Sequence, residues 1–151
     1  MTITTDEIAR EKDRLPRGWG RFGKTLDRLA EISEADESLL STCVTVNPTF
    51  EHRTITLAGG LYEMTKATNV VLACTSERLI LISTGFGGAP RAHESVPYDG
   101  LEIISRADKE FVLRMPDGVA RFRGGHKHVV PGFLDVLTER ASLTSPPASP
   151  A

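Results

Sequence analysis

The segment His126-Lys127-His128 sets two imidazoles two positions apart, close enough on an extended chain to share one face. Two such imidazoles could contribute to a metal site, but a site needs three or four ligands. His52 and His93 are remote in sequence, and Cys43 and Cys74 form no Cys-x-x-Cys pair. The segment therefore reads as an exposed loop before a helix, with no metal and no cofactor assigned. No Gly-x-Ser-x-Gly element announces a nucleophile. Gly85-Phe86-Gly87-Gly88 and Gly124-Gly125 lack the Gly-Lys-Ser/Thr of a phosphate loop and read as turns. No catalytic residue is assigned, and the expectation is a protein that is not an enzyme.

Charge patterning is more informative. Between Ala9 and Arg28 lie seven cations (Arg10, Lys12, Arg14, Arg17, Arg21, Lys24, Arg28) and three anions (Glu11, Asp13, Asp27), a local balance of +4. Trp19 and Phe22 sit inside this stretch, interleaved with Arg17, Arg21 and Lys24. Basic residues alternating with aromatics suit an anionic lipid surface or a nucleic acid. The competing reading packs Trp19 and Phe22 onto the rest of the chain and leaves the charges solvated. A second cluster, Arg121, Arg123 and Lys127 with His126 and His128, is the candidate anion-binding surface near the C-terminal end. Strand alternation puts Arg121 and Arg123 on one face and Phe122 on the other.

These features sit in a chain of 151 residues, 40% hydrophobic and 25% charged, with a formal charge of -2. That size and balance fit one soluble domain with its own core and exclude a strongly basic nucleic-acid binder by bulk charge. Two cysteines make no disulfide framework. The polar start Met1–Glu7 carries no apolar signal region, and no window reaches the roughly 18–20 apolar residues of a spanning helix. A cytoplasmic location is expected, with peripheral membrane attachment as the variant.

Three zones position these residues. Residues 1–37 read as two short helices joined by a link containing Pro16, Gly18, Gly20 and Gly23, with Leu26, Leu29, Ala30 and Ile32 a turn apart. Residues 38–140 read as strands near Leu39–Val46, Val70–Cys74, Arg78–Ser83, His93–Val96, Leu101–Arg106, Glu110–Met115 and Val119–Arg123, followed by a helix opening at Pro131. Thr54–Leu57 could add a strand and Leu61–Lys66 a helical turn. Residues 141–151 are uncharged and rich in Ser and Pro, the composition of a disordered tail.

The run Asn69–Ser83, NVVLACTSERLILIS, resembles bacterial pleckstrin-homology-like (PH-like) domains of the YokE-like type. The shared pattern is an apolar strand, Thr75, the turn Ser76-Glu77, Arg78, and a second apolar strand. Pro97-Tyr98 resembles that family's approach to its fifth strand, and Phe133–Arg140 its closing helix. The resemblance implies a mainly-β (α+β) fold, a seven-stranded, partly open barrel capped by a C-terminal helix, here with an N-terminal helical extension. Thr75, Arg78, Pro97 and Tyr98 would then be structural. Phosphoinositide-binding PH domains carry a run of cations on their first two strands; this chain offers only Arg53 and Lys66 there, so that ligand is not carried over.

The function expected is a binding or interaction module for a protein partner, including a second copy of itself, through exposed strand edges. The alternative is attachment to anionic lipid through the Trp19 segment. The third reading is ligand binding or catalysis in a pocket at the barrel end.

Overall fold

A computed structural model describes residues 2–51, 69–85, 89–116 and 118–144. Helix α1 spans Thr5–Asp13 and α2 spans Gly23–Ile32, with a single 3-10 turn at Gly20–Phe22 between them. Thr4 caps α1: its hydroxyl accepts the Glu7 amide at 3.1 Å, while the Glu7 carboxylate accepts the Thr4 amide at 2.9 Å. This reciprocal box satisfies two backbone donors that the first helical turn leaves open. Among the described residues seven strands follow: β1 Leu39–Glu51, β2 Asn69–Thr75, β3 Leu79–Thr84, β4 Pro90–Val96, β5 Glu102–Arg106, β6 Phe111–Met115 and β7 Gly118–Arg123. Helix α3, Val130–Thr144, closes the described chain.

The strands form one antiparallel sheet in the order β4-β3-β2-β1-β7-β6-β5. Its ends, β4 and β5, are not bonded to each other, so the barrel is partly open and α3 fills its interior. This is the α+β architecture expected above, a partly open antiparallel sheet closed by a C-terminal helix. Strand β1 serves both halves of the sheet, pairing with β2 from Leu39 to Val46 and with β7 from Val46 to Glu51. A bulge between Val46 and Thr49 marks the change of partner. It also accommodates Pro48, which has no amide to give to a regular ladder. The strand therefore runs five residues past the expected end at Val46. The strand and helical turn considered for 54–66 lie outside the described residues, as do Arg53 and Lys66 and the tip of the Gly85–Gly88 turn.

Two apolar layers sandwich β2 and β3. On the inner side Val70, Leu72, Cys74, Leu79 and Leu81 pack with Phe111, Leu113 and Phe122, and with Phe133, Leu134 and Leu137 of α3. On the outer side Val71, Ala73, Ile80 and Ile82 meet Ile3, Ile8, Phe22, Leu26 and Leu29 of the N-terminal segment. Burial on both faces explains why these strands read as unbroken apolar runs instead of alternating ones. Each fully buried Val, Leu, Ile or Phe side chain among them contributes about 1.5–3 kcal/mol on leaving water. The N-terminal helices thus share a core with the sheet.

Helix α3 extends four residues past Arg140. Ala141 is half-buried, and the Thr138 and Ser142 hydroxyls donate to the carbonyls of Leu134 and Thr138 at 2.8 Å. These bonds hold polar residues in helix where composition alone reads as tail.

Candidate functional site

The hairpin between β2 and β3 is held by buried charge. The Thr75 hydroxyl accepts the amides of Glu77 and Arg78 at 3.1 and 3.0 Å and donates to Glu37 Oε2 at 2.6 Å. Arg78 reaches Glu37 through Nε at 2.9 Å and Nη2 at 3.1 Å, and also donates to the Ile32 carbonyl and to Ser95 Oγ. Burial works to raise the Glu37 carboxyl, but hydrogen bonds from Arg78, Thr75 and the Glu34 amide outweigh it and hold the group below its ordinary value. The same pair raises Arg78. Tyr98 is buried, its hydroxyl donating to the Thr75 carbonyl at 2.6 Å, and burial raises that phenol. Pro97 is exposed beside it. One knot therefore ties the end of α2, the β2–β3 hairpin and the β4–β5 connection.

A second buried carboxylate, Glu11, fastens α1 to β1. Its Oε1 accepts the Thr42 amide at 2.8 Å and the Thr42 hydroxyl at 2.9 Å, and Arg14 donates to both carboxylate oxygens at 3.1 Å. Both cysteines are buried free thiols; burial pushes Cys43 up to about 12 and raises Cys74 as well.

The basic-aromatic segment splits. Phe22 is 1% exposed and belongs to the outer core layer. Arg21 lies over its ring at 4.5 Å and donates to the Gly18 carbonyl at 3.2 Å. Lys12 pairs with Asp27 at 2.6 Å, linking α1 to α2, and Arg28 pairs with Glu31 at 2.9 Å. Arg17 and Lys24 stay exposed. Trp19 is half-buried between Phe22, centroids 6.1 Å apart, and His126, centroids 5.9 Å apart with the rings near perpendicular.

That last contact joins the two basic clusters. Trp19, Lys109, Gly124, Gly125, His126 and Lys127 line a groove of about 320 Å³. Arg121 and Arg123 are exposed on β7 and lie outside it; Arg123 donates to Thr49 Oγ1 at 3.1 Å. The turn into α3 is tight. A Cβ on Gly124, at φ +71°, would fall 2.1 Å from Val46 Cγ2, and one on Gly125 would fall 2.4 Å from Val130 Cγ2. The Gly125 amide donates to the Lys109 carbonyl at 2.9 Å, pinning the β5–β6 turn beside the start of α3. His126 caps that turn, its Nδ1 accepting the His128 amide at 3.2 Å. Lys109, which no sequence pattern singles out, is brought in by this pairing alone.

A third feature is a groove of about 660 Å³ between β5 and α3, lined by Leu101–Arg106 on one wall and by Thr138, Ala141 and Ser142 on the other. Its β5 wall is an edge of the sheet formed by the described residues, with a register shift between Ile103 and Ser105, and the intervening Ile104 is 43% exposed. The other edge, β4, opens with Pro90 and presents Arg91, His93 and Ser95 to solvent, features that discourage further pairing.

Among the described residues no group of three or more His, Cys, Asp or Glu could hold a metal, and no helix is long and apolar enough to cross a membrane. No protein-family model matches the chain, and no curated protein does. Solved structures with similar chains include human RhoA in complex with the DH/PH fragment of PDZRhoGEF, at 10% identity and TM-score 0.48, covering 94% of this chain and 36% of the other. The FERM and C-terminal domain complex of Drosophila Merlin gives 16% and 0.46, covering 87% and 37%. A pleckstrin homology domain from Shewanella amazonensis SB2B gives 21% and 0.44, covering 80% and 98%. The chain thus spans little more than a third of the first two.

Proposed function

We propose that this chain is a non-enzymatic interaction module of the YokE-like PH type that docks an extended segment of a protein partner along β5. The observation that carries this reading is the contrast between the two sheet edges. Both edges carry exposed polar side chains, but β4 opens with Pro90, which has no amide to give, while among the described residues no strand pairs with the outer backbone groups of β5, which lies beside a groove walled by α3. An added strand would satisfy those groups, and alternate side chains would fall into the groove against Leu101, Ile103 and Ala141. Glu102 and Arg106 mark its ends, paired with Arg114 at 3.2 Å and Asp135 at 3.1 Å. The buried ionisable groups described above serve the fold, which favours a binding role over a catalytic one.

The test is selection of extended peptides from a random displayed library on the intact protein. Enriched peptides are expected to slow amide exchange in Glu102–Arg106 and to lose at least tenfold in affinity against Ala141→Trp, which fills the groove. Peptides that bind equally to that variant, or none enriched above background, would overturn the reading. A concentration-dependent dimer abolished by the same variant would make a second copy the partner instead.

A further inference from the structure

We propose that the groove between Trp19 and the start of α3 binds a small organic phosphate, with the phosphoryl group between Lys109 and Lys127 and the organic part against Trp19. The two lysines come from separate elements, the β5–β6 turn and the first turn before α3, and converge on one groove. Neither has an ion-pair partner among the described residues. Asp108 and Glu110 flank Lys109 along the chain, but among the described residues no carboxylate lines the groove. Two lysines lining one groove, neither ion-paired among the described residues, suit an anion of about two charges, the charge of a phosphate monoester.

The surroundings add to that charge. Helix α3 starts at Val130, three residues after Lys127, so its positive end is close along the chain, while the Val130 amide is already given to the His126 carbonyl. Because His126 Nδ1 accepts the His128 amide, the neutral ring carries its proton on Nε2, which makes that edge a donor. The tautomer is assigned from this hydrogen bond. The volume of about 320 Å³ matches the lower end of small-ligand sites. A half-buried indole supplies an apolar wall on which a planar group can stack.

The same packing argues against a lipid surface as the source of the phosphate. Phe22 is committed to the core, and Trp19 is held between Phe22 and His126, so neither ring is free to enter a bilayer. This site is separate from the β5 groove, and its success or failure is read independently of peptide docking.

Trp19 is the only tryptophan, so its fluorescence reports the site directly. Titration of the intact protein with adenosine 5′-monophosphate is expected to give a saturable change. The change should weaken at least tenfold in the double variant Lys109→Ala/Lys127→Ala, which should melt within a few degrees of the parent. Inorganic phosphate should compete at higher concentration, because it fills the lysine pair without the stacking contact. Three outcomes would overturn the proposal: no saturable response, a response equal in the double variant, or a response only to phosphatidylserine vesicles. Should the double variant fail to fold, Lys127→Gln alone is expected to weaken the response at least threefold, and an unchanged response in it would equally refute the site.

Discussion

The two halves of the sheet are covered unequally. Strands β2 and β3 lie between α3 and the barrel interior on one side and α1 and α2 on the other. Strands β6 and β7 bury one face and present Arg114, Arg121 and Arg123 on the other, where Val112 is also buried. The difference shows where the chain spends its apolar residues, and which surfaces it leaves open. Both proposed sites lie where the open half meets a helix or the N-terminal segment, beside α3, and neither is on the doubly covered half.

The most severe break in the covered half should come from its outer layer. Phe22→Ala is expected to cost about 3–5 kcal/mol in urea denaturation, since a large buried ring leaves a cavity. Arg121→Ala, on the open face of β7, should stay within about 0.5 kcal/mol. If both cost the same, the outer layer is not a core. Next comes Arg78→Ala, which strands the buried Glu37 carboxylate and should cost about 3 kcal/mol at neutral pH.

The Glu37 contribution also sets an acid limit. Its carboxyl is held below the ordinary value of 4.5, so the stability it adds is fully present above that value and is lost as pH falls through its lower folded-state value. Stability curves measured from pH 7 to 3 should therefore fall less steeply in Glu37→Gln than in the parent. A smaller effect concerns the thiols. Cys43 and Cys74 should resist a thiol reagent at pH 8 in the native protein and both react on denaturation, and fast native labelling of Cys43 would show that the core around β1 opens. On the open half, Arg114→Ala removes an exposed pair with Glu102 and should likewise change stability by less than about 1 kcal/mol.

Much of the fold is legible in the sequence because β2 and β3 announce themselves as apolar runs and the turns carry Gly or Pro. The strand order and the closing helix follow the architecture that the Thr75–Arg78 hairpin resembles. The extension of β1 to Glu51 was hidden because Pro48 reads as a strand breaker until the bulge that tolerates it is seen. The added turn of α3 was hidden because Ser and Thr donate within that helix. The sites are harder. Trp19 and Lys127 stand out as residue types, but nothing in their spacing says they meet. Lys109 reaches them only through one backbone bond, from Gly125 to its carbonyl. Glu37 and Glu11 look like ordinary surface acids in sequence, and only burial against Arg78 and Thr42 distinguishes them.

The sharing of β1 between the halves bears on how the chain reaches this structure. The hairpin β2–β3 and the β6–β7 pair can close from short turns, each at little entropic cost. The seam between halves cannot: Arg123 of β7 meets Thr49 of β1, 74 positions earlier. Folding should then be limited by that distant closure, and a single strand held from both sides should make the halves melt together.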